Sequence, residues 1–372
     1  MKAAENFIEQ RLADRVATGN LRWLRCESNL NDFCSNDYLG FALSADLKKA
    51  IKRECSENKS LNGATGSRLI SGNLKYTEAV EQQIAQWFGA EASLLFNSGF
   101  DANVGLLSCL PQRGDTVVCD ELIHASAIDG VRLSNANRFT FKHNDVESLE
   151  SKLKNAKGLC YVVIESVYSM DGDSPPLVDI LELVEKYNAH LIVDEAHAFG
   201  LYKSGLVNEL GLQKRVFAQL ITFGKALGCH GAAIVGSASL RNYLINFSRS
   251  FIYTTAAPFH HVASIKAAME LLNTSDEVVD RLKYNIALFK SLCSPQVLQM
   301  MPPSTSAIQC VVLQSAVKAS TLAGILQNKR FDVRAILSPT VAEGSERIRI
   351  CLHAFNTEAQ IKKLTDIINA SI

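Results

Sequence analysis

The sequence has no charge of one sign to spare: Lys+Arg and Asp+Glu each number 38 among its 372 residues. Without an excess there is no global field to draw in nucleic acid or an acidic membrane surface, so neither is expected as a partner. No apolar run approaches the roughly 18 residues that a bilayer span requires. The opening stretch MKAAENFIEQRLADRV mixes acids and bases and lacks the apolar core of a secretory signal. Ten cysteines lie scattered from Cys26 to Cys351 with no CxxC pair and no zinc or small-disulfide spacing. They read as reduced core residues, and a cytoplasmic protein without a metal site is expected. Three catalytic signatures are missing as well. There is no G-x-G-x-x-G for a dinucleotide, and Gly224-Lys225 runs on into Ala226, with Gln219 where a P-loop needs glycine. The serines lack the G-x-S-x-G elbow of a hydrolase.

What is present is periodicity. Phe7, Ile8, Leu12 and Val16 recur at helical spacing up to Gly19-Asn20, predicting an amphipathic helix in an N-terminal arm (1–45) that packs on something larger. From about Leu74 onward, short apolar runs alternate with helix-length segments: ASLLF (92–96), TVVC (116–119), CYVVIES (160–166), AHLIVD (189–194), FAQLITF (217–223) and AAIVGS (232–237). Such runs suit strands buried on both faces, so residues 46–270 predict an α/β domain with a mostly parallel central sheet. Residues 271–372 change texture. A helix-rich stretch gives way to strands in IQCVVL (308–313) and RIRICLHAF (347–355), then to a capping box, Thr357-Glu358-Ala359-Gln360, before a last helix. A smaller α+β domain is expected there, and the length of the chain favours two lobes around one site.

In a parallel α/β sheet, ligands bind beyond the carboxyl ends of the strands. Those ends here carry Asp194-Glu195-Ala196-His197, Gly224-Lys225, Ser169 within YSMDG, and Ser98-Gly99-Phe100. A lysine desolvated among glycines is an available amine nucleophile toward an aldehyde. Pyridoxal phosphate needs such an amine, and it needs an acid for its ring nitrogen so that the ring can act as an electron sink. Asp194 lies about one strand–helix–strand unit before Lys225, which sets the two on different strand ends facing one site. Ser98-Gly99-Phe100 offers a strand-to-helix turn for a phosphate, with Thr222 a second candidate. His124, just after TVVC, is placed to stack on a ring.

These residues sit in ordered motifs: SNDYLG (35–40), GATGSRLISGN (63–73), FNSGFDAN (96–103), ESVYSMDGD (165–173), VDEAHAFG (193–200), TFGKALG (222–228) and RIRI (347–350). Together they make the chain resemble, almost end to end, the α-oxoamine synthases. These are pyridoxal-phosphate enzymes of fold type I that join an amino acid to an acyl thioester with loss of carbon dioxide. The resemblance implies that Lys225 anchors the cofactor and carries a proton, that Asp194 pairs with the ring nitrogen, and that His197 and Ser169 bond the ring hydroxyl. It further implies that His124 stacks on the ring, and that Ser98, Gly99, Phe100 and Thr222 surround the phosphate. Arg349 would hold the amino-acid carboxylate, with Thr340, Arg22 and Asn36 also touching substrate. Homodimers are implied, with Thr254 or Thr255 reaching the phosphate of a second subunit. Gly231-Ala232-Ala233 resembles the branch that takes L-alanine with pimeloyl-CoA or pimeloyl-acyl carrier protein. Ala198-Phe199-Gly200 and His230 depart from that branch, which keeps a glycine and acetyl-CoA reaction, a serine and palmitoyl reaction, and a non-catalytic scaffold as alternatives. Scaffold relatives of this fold typically lack the lysine, whereas this chain has Lys225.

Overall fold

The computed structural model describes residues 2–18, 21, 22, 24, 29–58 and 62–372. Seven strands build its main sheet: β1 (Ala92–Phe96), β2 (Thr116–Asp120), β3 (Asn137–Phe141), β4 (Cys160–Glu165), β5 (His190–Asp194), β6 (Ala218–Thr222) and β7 (Ala232–Gly236). Their order is β1-β7-β6-β5-β4-β2-β3. Only β7 runs antiparallel to its neighbours, β1 and β6. The parallel core forms because β2 and β4 are apolar on both faces and buried along their whole length. Helices cover both sides and divide the hydrophobic interior into separate clusters on the two faces. All six expected strands of this sheet are found, each within a residue or two of its expected span. The added strand, β3, is an edge strand with four of five residues exposed, and its NRFTF run carries too little apolar signal to be read.

A second, antiparallel sheet joins β8 (Ile308–Val312), β9 (Arg334–Ile336) and β10 (Arg347–Cys351) in the order β9-β10-β8. The RIRICLHAF segment leaves the strand after Cys351 because His353 and Asn356 bond to each other, His353 N–H donating to Asn356 Oδ1 at 2.7 Å. The last helix, Glu358–Ser371, starts with the expected capping box between Thr357 and Gln360.

The N-terminal helix spans Lys2–Ala17, and none of its residues is buried. Phe7 is 65% exposed and Val16 60%, so none of the described residues covers these apolar side chains. Gly19, Asn20 and Cys26 lie outside the described residues. Residues beyond that gap are firmly held: Asn31–Asp32 pairs parallel with Phe331–Asp332, and Phe33 and Tyr38 are fully buried. Among the described residues no helix is long and apolar enough to cross a membrane, and no group of three or more His, Cys, Asp or Glu is arranged to hold a metal ion.

Candidate active site

Lys225 follows β6 in a tight turn. Cys229 N–H donates to Phe223 O and Gly228 N–H to Lys225 O, both at 2.8 Å, which closes residues 223–229 into a loop. Gly228 has φ +61°, and a Cβ there would lie 2.1 Å from Ala42 N, so only glycine fits this approach. The loop turns the lysine into a cavity of about 260 Å³ beyond the carboxyl ends of the parallel strands. Asn36, Gly99, His124, Asp194, His197 and Thr222 are among the other residues that line it. Desolvation pulls the Lys225 ammonium down to about 8, with Asp194 and Glu165 opposing and Arg349 assisting.

Asp194 ends β5 with its carboxylate held on both sides. Ala196 N–H donates to Oδ1 at 2.9 Å and Asn103 Nδ2 to Oδ2 at 2.9 Å. The other hydrogen of the Asn103 amide goes to Ser126 Oγ at 3.0 Å, and Ser126 in turn meets His124 Nδ1 through both its hydroxyl (2.7 Å) and its N–H (3.2 Å). With Asn103 donating to Ser126, the hydroxyl proton points to His124, so Nδ1 accepts and the proton of a neutral imidazole sits on Nε2. Burial lowers the His124 pKa in the same direction, helped by Lys225. Glu165 lies beside Asp194 in register on β4, buried, with Oε1 unpartnered. Burial first, then the Asp194 charge, push its carboxyl up to about 8.

The small sheet reaches the cavity through Asn36, one of its lining residues. Arg349 on β10 donates through Nε to Ser169 O at 2.8 Å and through Nη2 to Asn36 Oδ1 at 3.1 Å. Tyr38 Oη donates to the same Asn36 oxygen at 3.1 Å and stands 2.7 Å from His197 Nδ1. With the phenol proton on Asn36, His197 donates from Nδ1 and keeps Nε2 as an acceptor. Burial holds the His197 pKa well below the ordinary imidazole value, with Lys225 and Arg349 adding to the effect.

The remaining expected residues fall into three places. Ser98, Gly99, Phe100 and Thr222 line the Lys225 cavity at the start of the helix Gly99–Cys109, where Ser98 Oγ accepts from Asp101 N–H at 3.0 Å. A Cβ at Gly99 would lie 2.7 Å from Thr222 Cγ2, so the glycine is needed for this close packing. Thr254 and Thr255 line a different cavity with Arg68 and Asn97, and Asn97 Nδ2 donates to Thr254 Oγ1 at 3.1 Å. Arg22 and Thr340 meet each other instead, Nη2 to Oγ1 at 3.3 Å, on exposed surface. Asn103, Ser126, Glu165 and Tyr38 are site residues that the sequence reading did not single out. Phe199 is buried between Phe88 and Phe223, with centroids at 5.3 and 6.1 Å, and forms part of the core rather than a pocket wall. His230 does line the cavity and stacks on His261 at 4.9 Å.

This donor set fits pyridoxal phosphate. It presents a partly desolvated amine, an oriented acid, a flat imidazole and the first turn of a helix whose free N–H groups favour an anion. The profile of the aminotransferase class I and II family matches residues 28–368. The 8-amino-7-oxononanoate synthase of Emericella nidulans is 40% identical over 365 residues, 91% of this chain and 88% of the relative. A structure of 8-amino-7-oxononanoate synthase from Francisella tularensis superposes with a TM-score of 0.79 at 28% identity, over 92% of this chain and 98% of the other. A serine palmitoyltransferase solved with its pyridoxal phosphate internal aldimine gives 0.85 at 28% identity, over 92% and 87%. The chain therefore belongs to the class I and II aminotransferase family, α/β enzymes of fold type I. Within that family it is an α-oxoamine synthase, an acyltransferase that depends on pyridoxal phosphate.

Proposed function

We propose that the protein condenses L-alanine with a pimeloyl thioester, carried on coenzyme A or an acyl carrier protein, to give 8-amino-7-oxononanoate in biotin biosynthesis. The observation that supports this reading is one cavity in which the Lys225 amine and the oriented Asp194 carboxylate meet, beside the buried Arg349 guanidinium. The names of the relatives select the reaction among those of the family. A bond forms between the alanine α-carbon and the thioester carbonyl carbon, the thiol leaves, the alanine carboxylate departs as carbon dioxide, and a proton returns to the α-carbon.

Bound pyridoxal phosphate supplies a protonated ring that takes up the electron pair set free at the α-carbon. Asp194 keeps the proton on the ring nitrogen, its two oxygens already fixed by Asn103 and Ala196. Lys225 holds the cofactor at rest. Its Nζ, whose charge desolvation disfavours, would accept the α-proton and later return it. His124, which lines the cavity, would stack on the ring, and His197 Nε2 and Ser169 would serve the ring hydroxyl. Arg349 takes the amino-acid carboxylate, a group its planar fork suits, with Asn36 steadying the guanidinium. Ser98, Gly99, Phe100 and Thr222 receive the phosphate. Arg22 and Thr340 form a pair at the surface that meets the incoming acyl substrate. In a homodimer, Thr254 or Thr255 of a second copy would complete the phosphate site. The exposed stripe of the helix Lys2–Ala17 and the separate placement of these threonines support that assembly. We place the enzyme in the cytoplasm, in keeping with free cysteines throughout the described residues.

The test is turnover. With cofactor present, L-alanine and pimeloyl-CoA or pimeloyl-acyl carrier protein are expected to release carbon dioxide and yield a product with the mass of 8-amino-7-oxononanoate. Faster turnover with glycine and acetyl-CoA, or with serine and palmitoyl-CoA, would overturn the substrate assignment while leaving the family in place.

A further inference from the structure

His143 lies outside the cavity, on the loop after the edge strand β3, yet both its ring nitrogens face carboxylates. Nδ1 is 2.9 Å from Asp120 Oδ1 and Nε2 is 2.8 Å from Asp173 Oδ2. A neutral imidazole carries one N–H, so it can satisfy only one of these partners and must point a lone pair at the other. The next residue reinforces both contacts: Asn144 N–H donates to Asp120 Oδ2 at 3.0 Å and Asn144 Nδ2 to Asp173 Oδ2 at 2.7 Å. Glu121 Oε1 accepts from His143 N–H at 2.9 Å, and Tyr168 packs edge-on against the ring at 4.5 Å. The charged groups around the ring are thus Asp120, Glu121 and Asp173, with Tyr168 the remaining titratable neighbour. Burial lowers the His143 pKa, but the hydrogen bonds and charges of Asp120 and Asp173 overcome it and push the pKa up to about 10.

The two carboxylates sit on two different segments, one leading to His124 and one carrying Ser169. Asp120 ends β2, and its Oδ1 also accepts from Leu122 N–H at 2.8 Å, which shapes the turn that presents His124. Asp173 closes the loop after β4: Tyr168 N–H donates to Asp173 O at 3.0 Å and Gly172 N–H to Tyr168 O at 2.8 Å. That loop carries Ser169, whose carbonyl receives Arg349 Nε. It also meets the small sheet through the Arg347–Asp171 ion pair and through Ser304 Oγ, which donates to Gly172 O at 2.8 Å. We propose that His143 is a doubly donating imidazolium, a positioning residue that locks the loop carrying Ser169 to the turn carrying His124 and so fixes where Arg349 holds its carboxylate.

The functional half of this inference rests on the reading of Arg349 given above, but the protonation half does not. Nitrogen-15 NMR of the wild-type ring at pH 8.5 is expected to show both nitrogens of His143 protonated. A neutral ring with one bare nitrogen, for example Nε2 accepting from Asn144 Nδ2 at 3.1 Å, would overturn it. In the holoenzyme, His143→Gln is expected to weaken L-alanine binding, read from the cofactor's visible band, by about tenfold, the scale of one lost charged hydrogen bond. Cofactor affinity, read by titrating apoprotein with pyridoxal phosphate, should change less than about threefold by the same scale. Asp173→Asn, which removes one charge without changing shape, should give the same split if the Gln variant folds poorly. Equal losses for alanine and cofactor, or none for either, would show a merely structural histidine. Should alanine fail to bind the wild type, the substrate reading falls, and the ring spectrum still decides the clamp.

Discussion

The chemistry of the site turns on an amine whose charge its surroundings disfavour. Lys225 titrates near 8 in the folded protein, below its ordinary value, so the neutral form that attacks an aldehyde becomes dominant as pH rises through about 8. Capture of pyridoxal phosphate by apoprotein should therefore accelerate from pH 6.5 to about 8 and level off above, measured by stopped-flow absorbance. A rate that keeps rising to pH 10 would show an unperturbed lysine. Arg349→Ala should weaken L-alanine binding by about a hundredfold, the upper range for a charge-assisted pair, while cofactor binding changes only a few-fold. Reactive or charged side chains at strand ends are unusual, and they pointed to Lys225, Asp194, His124 and His197, which the fold brings to one cavity; Arg349, in the middle of β10, was reached only through the resemblance. Asn103, Tyr38 and His143 were not legible. Each is a residue type common on solvated surfaces or in cores, and only the fold reveals that Asn103 aims at Asp194 or that His143 bridges two carboxylates.

The elements that matter most are the short connections at strand ends. The loop 223–229 depends on Gly228, where a side chain meets both a positive φ and the Ala42 backbone. Gly228→Ala should cost about 2 kcal/mol or more in unfolding free energy, the range of backbone strain plus a clash, and should weaken cofactor binding along with it. A wild-type unfolding curve would contradict this. At the other end of the chain, Thr357→Ala removes a capping box and should cost about 1 kcal/mol without touching cofactor affinity. Strands were legible where apolar runs are buried on both faces. The edge strand β3 was not, since its hydrogen bonds to β2 come from backbone pairing that a polar sequence does not advertise. The overlong RIRICLHAF strand has a similar cause: its last residues are apolar enough, but side-chain bonds between His353 and Asn356 turn the backbone away.

For the whole molecule, assembly and pH dependence follow from side chains far from the cofactor. A purified protein should show twice the 40.7 kDa chain mass by light scattering, and removing residues 1–18 should shift it toward monomer if the bare stripe of Phe7, Ile8, Leu12 and Val16 packs on a second copy. His143 has a folded pKa raised from 6.5 to about 10. Its stabilising contribution is therefore complete below about 6.5 and is lost as pH rises through about 10, so the difference in Tm between wild type and His143→Gln should shrink over that interval. The account as a whole stands on Lys225 being the residue that binds the cofactor covalently. Borohydride reduction of the holoenzyme followed by peptide mass spectrometry tests this most directly. The account predicts a phosphopyridoxyl group on the peptide containing Lys225; the same group on another lysine, or on none, would contradict it.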